Sequence, residues 1–237
     1  MYHCKGALSP AGNFGLLLSI TVFWTSSASA GVITSATMFG PNAGIGPGLG
    51  TVSVPAIITV LPNNDNVPAP AVLDNNIFVP IKRFDFSGFI DIEFVVATSG
   101  GVTEYQVFES VDNNTGVNWN SYRMELGHGV GGLFVPSMPG DGLDFDTGPP
   151  GGNDLPPASS VMPLVARPNE DTLVYSAGIH GSGAETYQFR IDLPDSLIGP
   201  PVSRFTLRQT PLPVPEPSSL VLLGAALACL MGYRSRG

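Results

Sequence analysis

Phe89-Ile90-Asp91-Ile92-Glu93-Phe94-Val95-Val96-Ala97 is the stretch from which the fold class follows. In an extended chain Ile90, Ile92 and Phe94 point to one side and Asp91 and Glu93 to the other, the two-residue period of a strand with one buried face. The same period returns three times. From Trp119 to Gly127, Tyr122, Met124 and Leu126 oppose Arg123 and Glu125. From Glu185 to Leu193, Tyr187, Phe189 and Ile191 oppose Gln188, Arg190 and Asp192, and from Ser203 to Thr210, Phe205 and Leu207 oppose Arg204, Thr206 and Arg208. Between residues 31 and 213 no stretch carries a convincing 3.6-residue period. The expectation is an all-β domain of about eight strands, a single β-sandwich of Ig-like or jelly-roll type.

Other elements fit around these. Ser99-Gly100-Gly101 reads as a turn that folds Val102–Val111 back on Phe89–Ala97 as a hairpin. Thr51–Leu61 reads as a strand that Pro55 confines to an edge or a bulge. In Ile77–Phe86, Ile77, Val79 and Ile81 alternate inward as far as Lys82-Arg83. Phe39–Gly50 reads as loop or an irregular first strand. Leu173–Ala177 is a strand opened by Asp171-Thr172.

From His128 to Arg167 glycine and proline break every pattern, so this is read as a long loop, where binding commonly resides. Asp141, Asp144, Asp146 and Asp154 lie close together in it among glycines. Oxygen ligands at this density would suit Ca²⁺ as a cofactor, although the spacing is not that of an EF-hand; a solvated acidic loop is the other reading. Trp119 has two readings as well: a core residue beside the Asn114-Thr115-Gly116 turn, or an exposed ring that stacks on sugar.

The ends of the chain set it apart from a cytoplasmic protein. Lys5, the apolar run Phe14–Trp24 and Ala28-Ser29-Ala30 form a signal peptide, residues 1–30, with cleavage by signal peptidase expected after Ala30. Cys4 and Cys229 both lie in terminal segments, so residues 31–213 hold no cysteine, and hence no disulfide, thiol nucleophile or thiolate metal site. That segment carries seven Lys and Arg against eighteen Asp and Glu, a formal charge of −11. A nucleic acid partner is therefore excluded, since phosphate binding needs clustered cations and only Lys82 and Arg83 adjoin. Asp146-Thr147-Gly148 spells an aspartic-protease triplet but has no second copy to complete a dyad. His128 and His180 are the only histidines of the segment, and a hydrolase would need one of them beside a nucleophile. The domain is read as residues 31–210 and is expected to be non-catalytic.

Pro211–Pro217 reads as a stiff stalk. Val214-Pro215-Glu216-Pro217-Ser218 holds one carboxylate between two prolines that can join neither helix nor sheet. Residues 219–233 form a short apolar span, whose stretch from Leu220 to Tyr233 would be roughly 21 Å long as a helix against a hydrocarbon core of about 30 Å. Arg234 and Arg236 follow as a cytoplasmic stop-transfer signal. This order closely resembles the PEP-CTERM sorting signal of exported proteins of Gram-negative bacteria, and residues 211–237 are assigned to it. The resemblance implies an inner-membrane-anchored precursor, recognition by an exosortase, and transfer to the cell surface or extracellular matrix. It further implies an association with exopolysaccharide and biofilm. More loosely, Asn114-Thr115-Gly116, Trp119, Tyr122 and Glu125-Leu126-Gly127 are similar to a pattern in the extracellular domains of such proteins. The expected function is that of a non-catalytic surface or matrix protein. The alternatives are a carbohydrate-binding module, dependent on Ca²⁺ or on aromatic stacking, and a secreted hydrolase.

Overall fold

The computed structural model describes residues 31–37, 43–59, 75–98, 102–146, 155–194 and 203–214. The signal peptide, Asp154, residues 215–218 of the sorting motif, the apolar span and Arg234 and Arg236 lie outside them. Among the described residues there are fourteen strands and no α-helix. They are β1 Gly31–Ala36, β2 Gly44–Ile45, β3 Leu49–Val52, β4 Ala56–Ile58, β5 Asn76–Phe84, β6 Ile90–Thr98 and β7 Val102–Asn113. There follow β8 Trp119–His128, β9 Val135–Pro136, β10 Ala158–Ser159, β11 Leu164–Asn169, β12 Thr172–Ser176, β13 Gly183–Pro194 and β14 Ser203–Pro213.

They form two sheets. An eight-stranded sheet has the order β1-β6-β14-β8-β12-β11, with β2 on β6 and β9 on β8. A six-stranded sheet has the order β10-β13-β7-β5-β3, with β4 on β5. All pairings are antiparallel except β5 with β7. That exception has a simple cause: between them the chain crosses to the other sheet as β6. The hairpin expected of β6 and β7 is thus corrected. Their facing sides are both apolar, and strands buried in this way gain more by lying in opposite sheets around one core than by pairing edge to edge.

The inward faces meet in one core. Ile90, Ile92, Phe94, Tyr122, Met124, Leu126, Phe205 and Leu207 line it from one sheet and Ile77, Tyr105, Val107, Val111, Phe189 and Ile191 from the other. At one end Phe84 meets Trp119 and Tyr122 edge-on, at 5.2 and 6.0 Å between ring centres, and Tyr187 lies 4.8 Å from Tyr122 and 5.1 Å from Tyr175.

Several expectations change. Within the described part of Thr51–Leu61, to Thr59, the chain forms the end of β3 and the whole of β4, separated at Ser53-Val54-Pro55 and both paired to β5. The region from His128 to Arg167, read as loop throughout, contains β9, β10 and β11, whose short or exposed segments carry no alternation. Strand β14 runs on through Pro211–Pro213, opposite Tyr122, Ser121 and Trp119 of β8. Those residues are therefore strand and not stalk. Pairing of β14 with β6 ends at Gln209; beyond it one side of β14 is free, and proline's missing donor costs nothing there.

The most consequential change is in β5. A bulge between Val79 and Lys82, at Pro80, shifts the register against β7. Parity inverts: Ile81, expected inside, is 49% exposed, and Lys82 is fully buried. Its ammonium meets Glu109 of β7 and Gln209 of β14 in the core.

Candidate functional site

The outward face of the six-stranded sheet carries a groove of about 580 Å³. Its floor follows from register. Phe78 of β5 stands beside Phe108 of β7, Phe108 beside Gln188 of β13, and Gln188 beside Ala158 of β10. The two rings are stacked, 5.4 Å apart and 12° from parallel. Phe78 is 37% exposed, which is high for a side chain of that size in the middle of a sheet. The next row is polar: Thr186 stands opposite Ser110. Ser160 accepts the Thr186 N–H at 2.9 Å and donates to Glu185 at 2.7 Å, and Gln188 donates to the Pro156 carbonyl at 3.1 Å. An aromatic shelf bordered by hydroxyls and one carboxamide suits a ligand with apolar faces and polar edges. The sequence reading missed Phe78 and Phe108. The available signal was parity, since each is apolar at a position whose strand neighbours Ile77, Val79, Val107 and Glu109 all point inward.

On the outward face of the eight-stranded sheet the surroundings of Arg208 are covered. The Arg208 guanidinium forks onto Asp91, Nε to Oδ1 at 2.7 Å and Nη2 to Oδ2 at 2.8 Å. It lies between the rings of Phe89 and Phe134, 3.9 and 4.0 Å from their centres. Phe134 arrives on the segment after β8, which is tied down by Thr206 Oγ1 donating to Gly129 O at 2.7 Å and Gly131 N–H donating to Asp91 at 2.7 Å. Gly129 permits that path: its φ is +74°, and a Cβ there would lie 2.5 Å from the Leu133 carbonyl oxygen.

Trp119 is 1% exposed and wedged against Phe84, Tyr122 and His180, with its Nε1–H donating to Thr115 Oγ1 at 3.2 Å. The exposed, sugar-stacking reading of Trp119 is corrected. A strand that starts beside an Asn-Thr-Gly turn places its first large ring over the end of the core. His180 is fully buried, with Nδ1 on the Tyr187 hydroxyl at 3.0 Å and Nε2 on the Gly183 carbonyl at 3.1 Å, and burial lowers its pKa. His128 places Nδ1 3.1 Å from the Arg204 carbonyl.

The acidic segment is partly self-satisfied. Asp141 accepts from Ser137 Oγ at 2.6 Å, Met138 N–H at 3.2 Å and Leu143 N–H at 2.9 Å, closing its own turn. Asp144 pairs with Arg167 at 3.2 Å, and its backbone bridges Asp192 of β13. Among the described residues no three acidic or histidine side chains come together as a metal cluster. What does come together is charge. Burial pushes Asp144 up to about 6, with Arg167 opposing and Glu170, Asp146 and Asp141 adding to it. Burial likewise pushes Asp171, at the β11–β12 turn, up to about 6, with Asp141, Glu170 and Asp144 contributing.

Two β-sheets that contribute to one core, with a groove on the outer surface of one of them, define the class: an all-β protein with a candidate binding face. Its address lies further on. Residues 213–236 match the family model of the PEP-CTERM protein-sorting motif, beginning at the last residue of β14. No curated protein and no solved structure matches the chain. The motif supports an exported protein sorted by an exosortase, made as a membrane-anchored precursor and processed for the cell surface.

Proposed function

We propose that residues 31–213 form a single non-catalytic β-sandwich that works at the cell surface or in the extracellular matrix, bound there to exopolysaccharide through the groove over Phe78 and Phe108. The observation that carries this reading is the stacked, partly exposed aromatic pair next to Ser110, Thr186 and Gln188. Pyranose rings have C–H faces that pack on aromatic surfaces and hydroxyl edges that need hydrogen-bond partners. Both are within one groove. A net negative domain would bind neutral glycans directly and anionic ones only with cations between.

Isothermal titration of the purified protein against fractionated exopolysaccharide of its host tests this reading. Saturable binding that Phe108→Ala weakens about threefold or more supports it. Absence of binding to every fraction by folded protein overturns it.

A further inference from the structure

We propose that Lys82 and Gln209 are joined by an intramolecular isopeptide bond that forms without a separate enzyme, with Glu109 as the catalytic residue that moves the protons. The three side chains come from β5, β7 and β14, hence from both sheets, and meet in the core. Lys82 and Gln209 are 0% and Glu109 4% exposed.

The geometry is that of an aminolysis held ready. The Lys82 Nζ rests against Gln209 Oε1, one bond from the carboxamide carbon Cδ. Glu109 Oε2 touches the same Nζ. Both Glu109 oxygens also lie 2.9 Å from Gln209 Nε2. One carboxylate therefore bridges the nucleophile and the leaving nitrogen, the position a proton shuttle requires.

Burial supplies what the chemistry lacks in water. Desolvation lowers the pKa of Lys82, with the charge of Glu109 opposing, and a buried lysine favours its neutral, nucleophilic form. Tyr122, Tyr175 and Tyr187 surround the same carboxylate closely enough for its charge to raise each of their pKa values further, after burial itself. With Lys82, Glu109 and Gln209 all buried, water has little access to the carboxamide.

The step balances. Glu109 takes a proton from the Lys82 ammonium, leaving a free amine, and the Nζ lone pair attacks Gln209 Cδ. The Cδ–Nε2 bond breaks as Glu109 returns a proton to Nε2, and ammonia leaves. A second proton from Nζ passes to Glu109, which ends protonated beside the new secondary amide. No oxidant, reductant or cofactor takes part.

The placement has a mechanical sense. β14 is the strand that leads directly into residue 214 and the sorting motif, so a pull on the attached C-terminus is first felt by β14. A covalent bond from Gln209 to Lys82 ties that strand to the opposite sheet, where the alternative is hydrogen bonds that can peel one at a time.

The test is a proteolytic map of the purified wild-type protein by mass spectrometry. The expected result is one branched peptide pair joined through Lys82 and Gln209, lighter than the sum of its parts by one ammonia, with trypsin unable to cut after Lys82. In folded Glu109→Gln the branched pair is lost and cleavage after Lys82 returns. Unlinked Lys82 and Gln209 peptides in the wild-type map overturn the bond, as does an ammonia deficit located elsewhere. A branched pair that persists in Glu109→Gln overturns the role of Glu109.

Discussion

The two outer faces of this domain are built from similar strands and end in opposite states. On the eight-stranded sheet every outward charge on β6 and β14 has a partner: Asp91 holds Arg208, and Arg204 holds Glu93 at 2.6 Å and Thr37 at 2.8 Å. A loop then folds over the first of these pairs. On the six-stranded sheet the Arg190–Glu104 pair is buried at one end, whereas at the other Phe78 and Phe108 are left partly in solvent. The contrast separates support from function. Polar groups that are paired and covered hold a structure together, while stacked apolar rings left open in a groove offer a surface to a ligand.

The comparison breaks first if the covered Arg208–Asp91 pair is not structural. Arg208→Ala strips the partner from Asp91, whose side chain is 0% exposed, and should cost roughly 3–5 kcal/mol in urea unfolding. A cost below about 1 kcal/mol, the level of an exposed pair, would make the two faces equivalent. The edge where the faces meet offers a second test. Asp171 has its folded pKa raised from 3.8 to about 6, so the native state binds the extra proton. Its contribution to stability is full below pH 3.8 and is lost as pH rises through about 6. Asp171→Asn should therefore leave stability near pH 4 almost unchanged and raise it at pH 8, by about 1–2 kcal/mol after screening. Equal effects at both pH values would remove the charge explanation. Third, Phe78→Ala with Phe108→Ala should weaken glycan binding by about 1–2 kcal/mol and change stability less than Arg208→Ala does. A double variant that unfolds while binding normally would reverse the assignment of the faces. The smallest effect is Arg204→Ala, about 0.5 kcal/mol or less, because Arg204 is 49% exposed on its side chain.

Much of the core was legible in advance. Ile90, Ile92, Phe94, Tyr122, Met124, Leu126, Tyr187, Phe189, Ile191, Phe205 and Leu207 point inward as their alternation requires. A strand buried on one face writes its period into the sequence. The sorting motif was legible for another reason: a short run of motif residues followed by an apolar stretch and arginines is contiguous in the chain and depends on local order alone. The candidate groove was only half legible. Phe78 and Phe108 sit 30 positions apart in the chain and become neighbours solely because β5 and β7 pair in parallel.

Alternation, turn residues and terminal signals therefore determined by themselves that this is an all-β chain with an exported address. Tertiary structure alone decided which strands share a sheet, sending β6 away from β7, because pairing partners depend on how two apolar faces close over one another. It alone decided the fate of Lys82 as well. A single bulge at Pro80 reverses the parity of β5, and a residue that reads as surface charge is carried into the core beside Glu109 and Gln209. Local sequence carries periodicity; a shift of one residue in register is decided by the strands on either side.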